Sequence, residues 1–302
     1  MDAGLTPEAF AEALRRRLAP EHWPVPLDAL PPDAALVGGA VRDAALGRLE
    51  EHPDLDLVVG SAAINLARDL ARRQGGSCVV LDAERDMARL VLRGWTLDLA
   101  RREGPDLASD LRRRDYTVNA LALPLAPGAT VVDATGGLEH LHRRQLVAVS
   151  EANLLDDPLR LLRGVRLAAE LGFSLDGQSR RWIGMHAPRL AQVAGERVLA
   201  ELDKLAVAPE GHQGLQLAAE TGLLESWGAA PSAGITVEHL NVTSAESRGL
   251  NASELAEALP LARLAWLLDG RAVAGLKGSR RLEQRCGSLR QWWQALTALP
   301  LE

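Results

Sequence analysis

Between Leu36 and Gly60 the chain reads LVGGAVRDAALGRLEEHPDLDLVVG, and no other stretch restricts the fold as strongly. Leu36 and Val37 end a short apolar run suited to a buried strand. Gly38-Gly39 follows at once, two residues without a Cβ that let the backbone turn sharply and a ligand come close. The pattern from Ala40 to Leu46 predicts a helix whose free N–H groups and positive dipole end face that turn, an arrangement suited to phosphate. After Gly47-Arg48 and a polar link containing Pro53, Leu55-Asp56-Leu57-Val58-Val59 predicts a strand, and its period of two turns Asp54 and Asp56 to the same side. Two neighbouring carboxylates repel unless a cation lies between them, and hard oxygen donors suit a divalent ion, Mg2+ first among them. A solvated strand face would explain the two aspartates alone. With the glycine turn and Arg42-Asp43 beside them, they describe one site for a triphosphate and a metal.

The remaining composition narrows the class. With 302 residues, 47% of them hydrophobic, the chain is long enough for two or three modules with buried cores. No apolar run reaches the roughly 18 residues that span a bilayer, and Asp2, Glu8 and Glu12 do not fit a signal peptide, so no membrane partner and a soluble, cytoplasmic protein are expected. Cys78 and Cys286 are far apart and in no CxxC spacing, and the seven histidines are scattered, which argues against a disulfide framework, a zinc site or an attached phosphohydrolase domain. A net charge of −6 excludes indiscriminate coating of nucleic acid, so RNA contacts must come from local patches. Apart from Lys204 and Lys277 the basic residues are arginines, whose planar fork suits phosphates and base edges.

Around the central stretch, Pro7 to Leu18 predicts an amphipathic helix and Ala62 to Arg73 another, closed by Gly75-Gly76. Cys78 to Leu81, Ala88 to Leu92 and Trp95 to Leu99 read as strands, which makes the first 140 residues a small mixed sheet interleaved with helices. Asp98 falls in the last of these strands, either as a third carboxylate that takes a proton or holds a second metal, or as an edge aspartate.

LVGGAVRD followed by DLDL resembles the nucleotidyltransferase motif of the class II CCA-adding enzymes and bacterial poly(A) polymerases. RRRDYTVNALAL, Arg112 to Leu123, resembles the family's next motif, with Tyr116 where Phe is usual. The resemblance implies that this segment, through Arg114, Asp115 and Asn119, holds the ribose and selects ribonucleotides. A helix here would set Asp115 and Asn119 four apart, an acceptor and a donor for one sugar hydroxyl. Val131 to Leu138 matches the segment linking head to neck, and Glu196 to Leu205 the last motif, whose charges brace the neck helices.

Asp156-Asp157-Pro158-Leu159-Arg160-Leu161-Leu162-Arg163 is the second informative stretch. An Asp cap and a proline in the first turn open a helix to Leu171, and Gly172 stops it. With Asp157 and Arg160 on one face, Arg can donate to a ring nitrogen while Asp accepts from an exocyclic amine. Cytosine and adenine offer that pattern, and guanine and uracil do not. The stretch resembles the family's templating motif, with Asp156 where Glu is usual, which implies base recognition by Asp157, Arg160 and Arg163.

The expected architecture is α+β: a small mixed-sheet nucleotidyltransferase head (residues 1–140), then a helical neck for base recognition (141–205) and a helical body and tail that contacts tRNA (206–302). In the tail, Arg280-Arg281, Arg285 and Arg290 lead to Trp292-Trp293, either a charged stacking surface for RNA or buried tryptophans. The resemblance implies Mg2+-dependent transfer of CMP or AMP from CTP or ATP to the tRNA 3′ hydroxyl. Asp54 and Asp56 would be catalytic metal ligands, Gly38, Gly39 and Arg42 would hold the triphosphate, and the 3′ end and acceptor stem of tRNA would be the partner. Only Leu99 to Leu111 separates the Asp98 strand from the RRRD motif, where full CCA-adding relatives carry a longer mobile loop that drives the switch from C to A. The short connection favours addition of CC alone, although it would also suit a dedicated A-adding enzyme.

Overall fold

A computed structural model describes residues 6–297; Asp2 and residues 298–302 of the tail segment lie outside the described residues. The chain divides into two compact units, Met1–Arg143 and Arg144–Glu302.

In the first unit, α1 (Pro7–Leu18) starts where the Thr6 hydroxyl accepts from Ala9 N–H, and it buries Ala11, Leu14 and Leu18. β1 (Ala35–Val37), α2 (Gly39–Leu46) and β2 (Leu55–Val59) follow, as the glycine and aspartate spacing predicts. Next come α3 (Ala63–Gln74), β3 (Ser77–Asp82), β4 (Met87–Leu92), β5 (Trp95–Arg101), α4 (Leu107–Leu111), β6 (Leu121–Pro124), β7 (Val132–Asp133) and α5 (Gly137–His142). The strands form a seven-stranded sheet in the order β3-β4-β5-β2-β1-β6-β7. Within this sheet only β2 and β5, among the described residues, pair in parallel, across the crossover that carries α3. α3 packs on β3, β4 and β5, burying Ala88, Leu90, Leu92, Leu97 and Leu99 on that face. The N-terminus of α3 is capped from a distance: Asp86, in the β3–β4 turn, accepts from Ala63 and Ile64 N–H.

The predicted helix through Asp115 and Asn119 does not form. After α4 the chain bends, and only Thr117–Asn119 closes, as a 3₁₀ turn. The Asp115 carboxylate accepts from the next N–H, that of Tyr116, at 2.7 Å, while the Tyr116 ring is fully buried. That local bond competes with a helical start, and Thr117-Val118 adds two β-branched residues.

The second unit holds β8 (Gln145–Leu146), α6 (Glu151–Asp156), α7 (Leu159–Leu171), β9 (Ser174–Leu175), α8 (Gly177–His186), α9 (Gly195–Val207), α10 (Gly211–Glu220), α11 (Val242–Glu246), α12 (Ala252–Leu267), α13 (Gly270–Gly275) and α14 (Arg280–Thr297). It is helical apart from the two-residue parallel pair β8–β9. α7, α9, α10 and α12 pack together, and Arg263 of α12, 1% exposed, donates to the carbonyls of Ala206, Ala208 and Leu240. With a fourth bond, from Nη2 to the Pro209 carbonyl, four hydrogen bonds to carbonyls satisfy that buried guanidinium, and burial pushes its pKa down. Among the described residues no helix is long and apolar enough to cross a membrane.

Candidate active site

The glycine turn and the carboxylate pair meet. Gly38, at φ +76° and ψ −137°, caps α2 in a conformation open to glycine and strained for other residues. A methyl group there would lie 3.0 Å from Asp56 Oδ2 and 3.8 Å from Arg114 Nη1, so the bare backbone is what lets the turn close against the site. Gly39 has no such constraint: a Cβ would meet only Arg42, at an ordinary 3.6 Å. Asp56 is half-buried on β2, opposite Val37 of β1 and Asp98 of β5, and Asp54 stands exposed just before the strand. Two hard carboxylates two residues apart, with a turn that leaves space where a side chain would be, fit a small divalent cation. Gly38→Ala should lower stability by about 2 kcal/mol and displace Asp56, read as a lower urea midpoint with loss of any transferase activity.

Arg42 is 5% exposed and braces the turn from beneath. Its Nε and Nη2 donate to the two oxygens of Asp43, at 3.0 and 2.7 Å, and its Nη1 donates to Asn119 Oδ1 at 2.6 Å. The α2 start and the Thr117–Asn119 turn are thereby joined through two residues that the sequence had assigned to different parts of a nucleotide. Arg114 donates to Asp110, an 8% exposed carboxylate that also accepts from Glu103 N–H. Glycine serves once more at Gly137, where a Cβ would strike the Thr117 carbonyl at 2.2 Å, so α5 lies directly on that turn.

In the second unit Asp157 closes α6 and opens α7. Its Oδ1 accepts from Leu159 N–H at 3.1 Å and its Oδ2 from Arg197 of α9 at 2.7 Å. Arg160 Nη1 donates to the Asn153 carbonyl at 2.7 Å, and Arg163 follows one turn on, half-buried. Asp157 thus stands just ahead of α7, and Arg160 and Arg163 lie in its first turns. The expectation that Asp157 and Arg160 share a helix face is corrected, since Asp157 lies before the helix in extended backbone. Sequence reasoning assigned Arg197 only a bracing role. Its pairing with Asp157 spans forty positions and leaves no local signal.

The chain matches the model of the "Poly A polymerase head domain" over residues 96–147 and that of the "Probable RNA and SrmB- binding site of polymerase A" over residues 172–227. A CC-adding tRNA nucleotidyltransferase of Synechocystis sp. is 47% identical over 207 residues, 68% of this chain and 50% of the relative. That of Geobacter sulfurreducens is 35% identical over 297 residues, covering 88% of this chain and 68% of the relative. The chain belongs to the family of class II CCA-adding enzymes and bacterial poly(A) polymerases. It spans half the length of the Synechocystis member. Among solved structures, a tRNA-processing enzyme complex superposes with a TM-score of 0.71 at 25% identity over 88% of this chain and 78% of that one. The mixed-sheet head and the helical second unit are those of this family.

Proposed function

We propose that the chain is a tRNA 3′-terminal nucleotidyltransferase of the cytoplasm, which uses CTP and releases pyrophosphate. The closure of the Gly38 turn against Asp56 carries this reading, because it sets an anion-binding helix start beside a carboxylate pair. Asp54 and Asp56 would hold Mg2+, and phosphate oxygens and water would complete its coordination. When bound, that ion supplies positive charge where the α-phosphate gains negative charge. The Gly39 N–H at the start of α2, with the charge of Arg42 beside it, holds and orients the triphosphate, while the Gly38 N–H is spent on the Leu121 carbonyl and fixes the turn. Arg114, Asp115 and Asn119 stand beside the turn for the ribose, and Asp157, Arg160 and Arg163 read the base.

The favoured product is CC. β5 ends at Arg101 and α4 begins at Leu107, and the five-residue link between them is held at Glu103 and Asp106. Glu103 N–H donates to Asp110, Asp106 accepts from Ser109 N–H, and the Glu103 carboxylate pairs with Arg113. Little slack remains to reshape a base pocket once two C residues are in place. tRNA transcripts ending before the first C, after one C and after CC, each offered CTP or ATP with Mg2+, test both levels. CMP should enter the first two and AMP should not extend the third. Efficient A addition to the CC-ended transcript would assign an A-adding or CCA-adding enzyme instead, and poly(A) tails on unrelated RNA a poly(A) polymerase. No incorporation under any condition would leave a non-catalytic RNA-binding module.

A further inference from the structure

The sheet face opposite α3 carries an ion pair that the reading above does not use. Val79, Arg89, Asp98 and Asp56 stand side by side in register across β3, β4, β5 and β2. Arg89 donates from Nε to Asp98 Oδ1 at 2.7 Å and from Nη2 to Oδ2 at 2.8 Å, a bidentate fork that commits both oxygens of Asp98. Among the described residues no group of three or more His, Cys, Asp or Glu side chains is placed to hold a metal. The guanidinium side chain is 45% exposed, and its Nη1 has no protein partner among the described residues. Its pKa is raised, first by the bond to Asp98, then by the charges of Asp98, Asp54 and Asp56, so it lies within the field of the carboxylate pair. Val79 and Val91, 54% and 41% exposed, flank it.

Position decides which phosphate such a cation meets. β2 holds Asp56, and its neighbours carry opposite halves of the site: β1 leads into the Gly38 turn, while β5 and β4 bring Asp98 and Arg89. An in-line displacement needs the leaving pyrophosphate and the attacking hydroxyl on opposite sides of the α-phosphorus. With the triphosphate at the glycine turn, the β4–β5 side is left for the attacking strand. At strand spacings of roughly 5 Å, Arg89 lies one nucleotide's reach from Asp56. Exposed valines on either side offer apolar surface to sugar and base, and the guanidinium offers charge to the phosphate between them.

We propose that this face is a binding site for the 3′-terminal nucleotides of the acceptor RNA, with Arg89 holding the phosphate just upstream of the reacting hydroxyl and Asp98 fixing the guanidinium as a positioning residue. The inference rests on the nucleotidyltransferase reading. Arg89→Ala, Arg89→Lys and Asp98→Asn are compared with the unaltered chain in metal-free tRNA binding across a salt series and in steady-state CMP transfer. Arg89→Ala should raise both the Kd and the KM for tRNA about tenfold, lower the slope of log Kd against log salt by about one, and leave the KM for CTP within about twofold. Arg89→Lys should recover part of the loss, and Asp98→Asn should raise the KM for tRNA with a much smaller fall in kcat. Unchanged tRNA affinity and salt slope in Arg89→Ala would overturn the proposal. So would a rise in the KM for CTP alone, or an Asp98→Asn variant that loses kcat at unchanged tRNA KM. If the unaltered chain transfers nothing to any RNA, the nucleotidyltransferase reading falls and this inference with it.

Discussion

Asp56→Ala should lower CMP transfer by about a thousandfold or more while tRNA affinity stays within about twofold, because a bound metal contributes several kcal/mol to the transition state and each 1.4 kcal/mol is tenfold. The geometry separates the two readouts. Asp56 faces the Gly38 turn, beside an exposed Asp54 of like charge, and the cations on this face are supplied by Arg89 and Arg114. Removing a carboxylate takes away a metal ligand and no phosphate contact. Asp56 also takes part in an interaction within the protein, so the thermal midpoint should fall modestly. Asp54→Ala should behave alike, and isosteric Asp56→Asn should be as inactive as the alanine variant, since the charge and not the shape is at stake. Single-turnover transfer, filter binding of tRNA and a thermal melt measure the three quantities. Parallel loss of binding and turnover would contradict the assignment.

What the sequence revealed about this site follows from the range of the interactions involved. A strand, a glycine pair, a helix and a second strand with alternating aspartates are all written in local spacing, and β1, α2 and β2 form where that spacing puts them. Asp157 and Pro158 signal the α7 start for the same reason. The pairs that tune the site are written elsewhere. Arg89 meets Asp98 only because β4 and β5 pair in one register, and Arg42 meets Asn119 across 77 positions. Asp115 misled because its motif has helical spacing, whereas its own side chain takes the N–H that a helix would need. Arg290 is another such case: its Nη1 donates to the carbonyls of Ala230, Ala265 and Trp266 and ties α14 to α12, a contact that local spacing does not announce. The exposed Trp292, 67% accessible, keeps the stacking alternative open to one of the two tryptophans, while Trp293 is half-buried.

Arg160→Ala should reduce discrimination for CTP over UTP and GTP by about a hundredfold or more, since a site built to pair hydrogen bonds loses that much when one partner is removed. The structure gives the reason in the supports of each side chain. Arg160 is anchored through Nη1 to the Asn153 carbonyl within α6, so the guanidinium is aimed by a backbone atom. Asp157 is held between Leu159 N–H and Arg197, which orients it as an acceptor for an exocyclic amine. Without Arg160 the Asp still accepts from an amine, but no donor checks the ring nitrogen, and nucleotides with an N–H at that position gain entry. Arg197→Ala offers a graded control. It leaves both base-reading groups present and loosens only Asp157, so its kcat/KM for CTP should fall by about tenfold, with a smaller loss of selectivity. Competition assays with pairs of labelled nucleotides on a tRNA lacking its 3′ end give the ratios. An Arg160→Ala variant that kept the selectivity of the unaltered chain would move base reading to other residues of α7, Arg163 first.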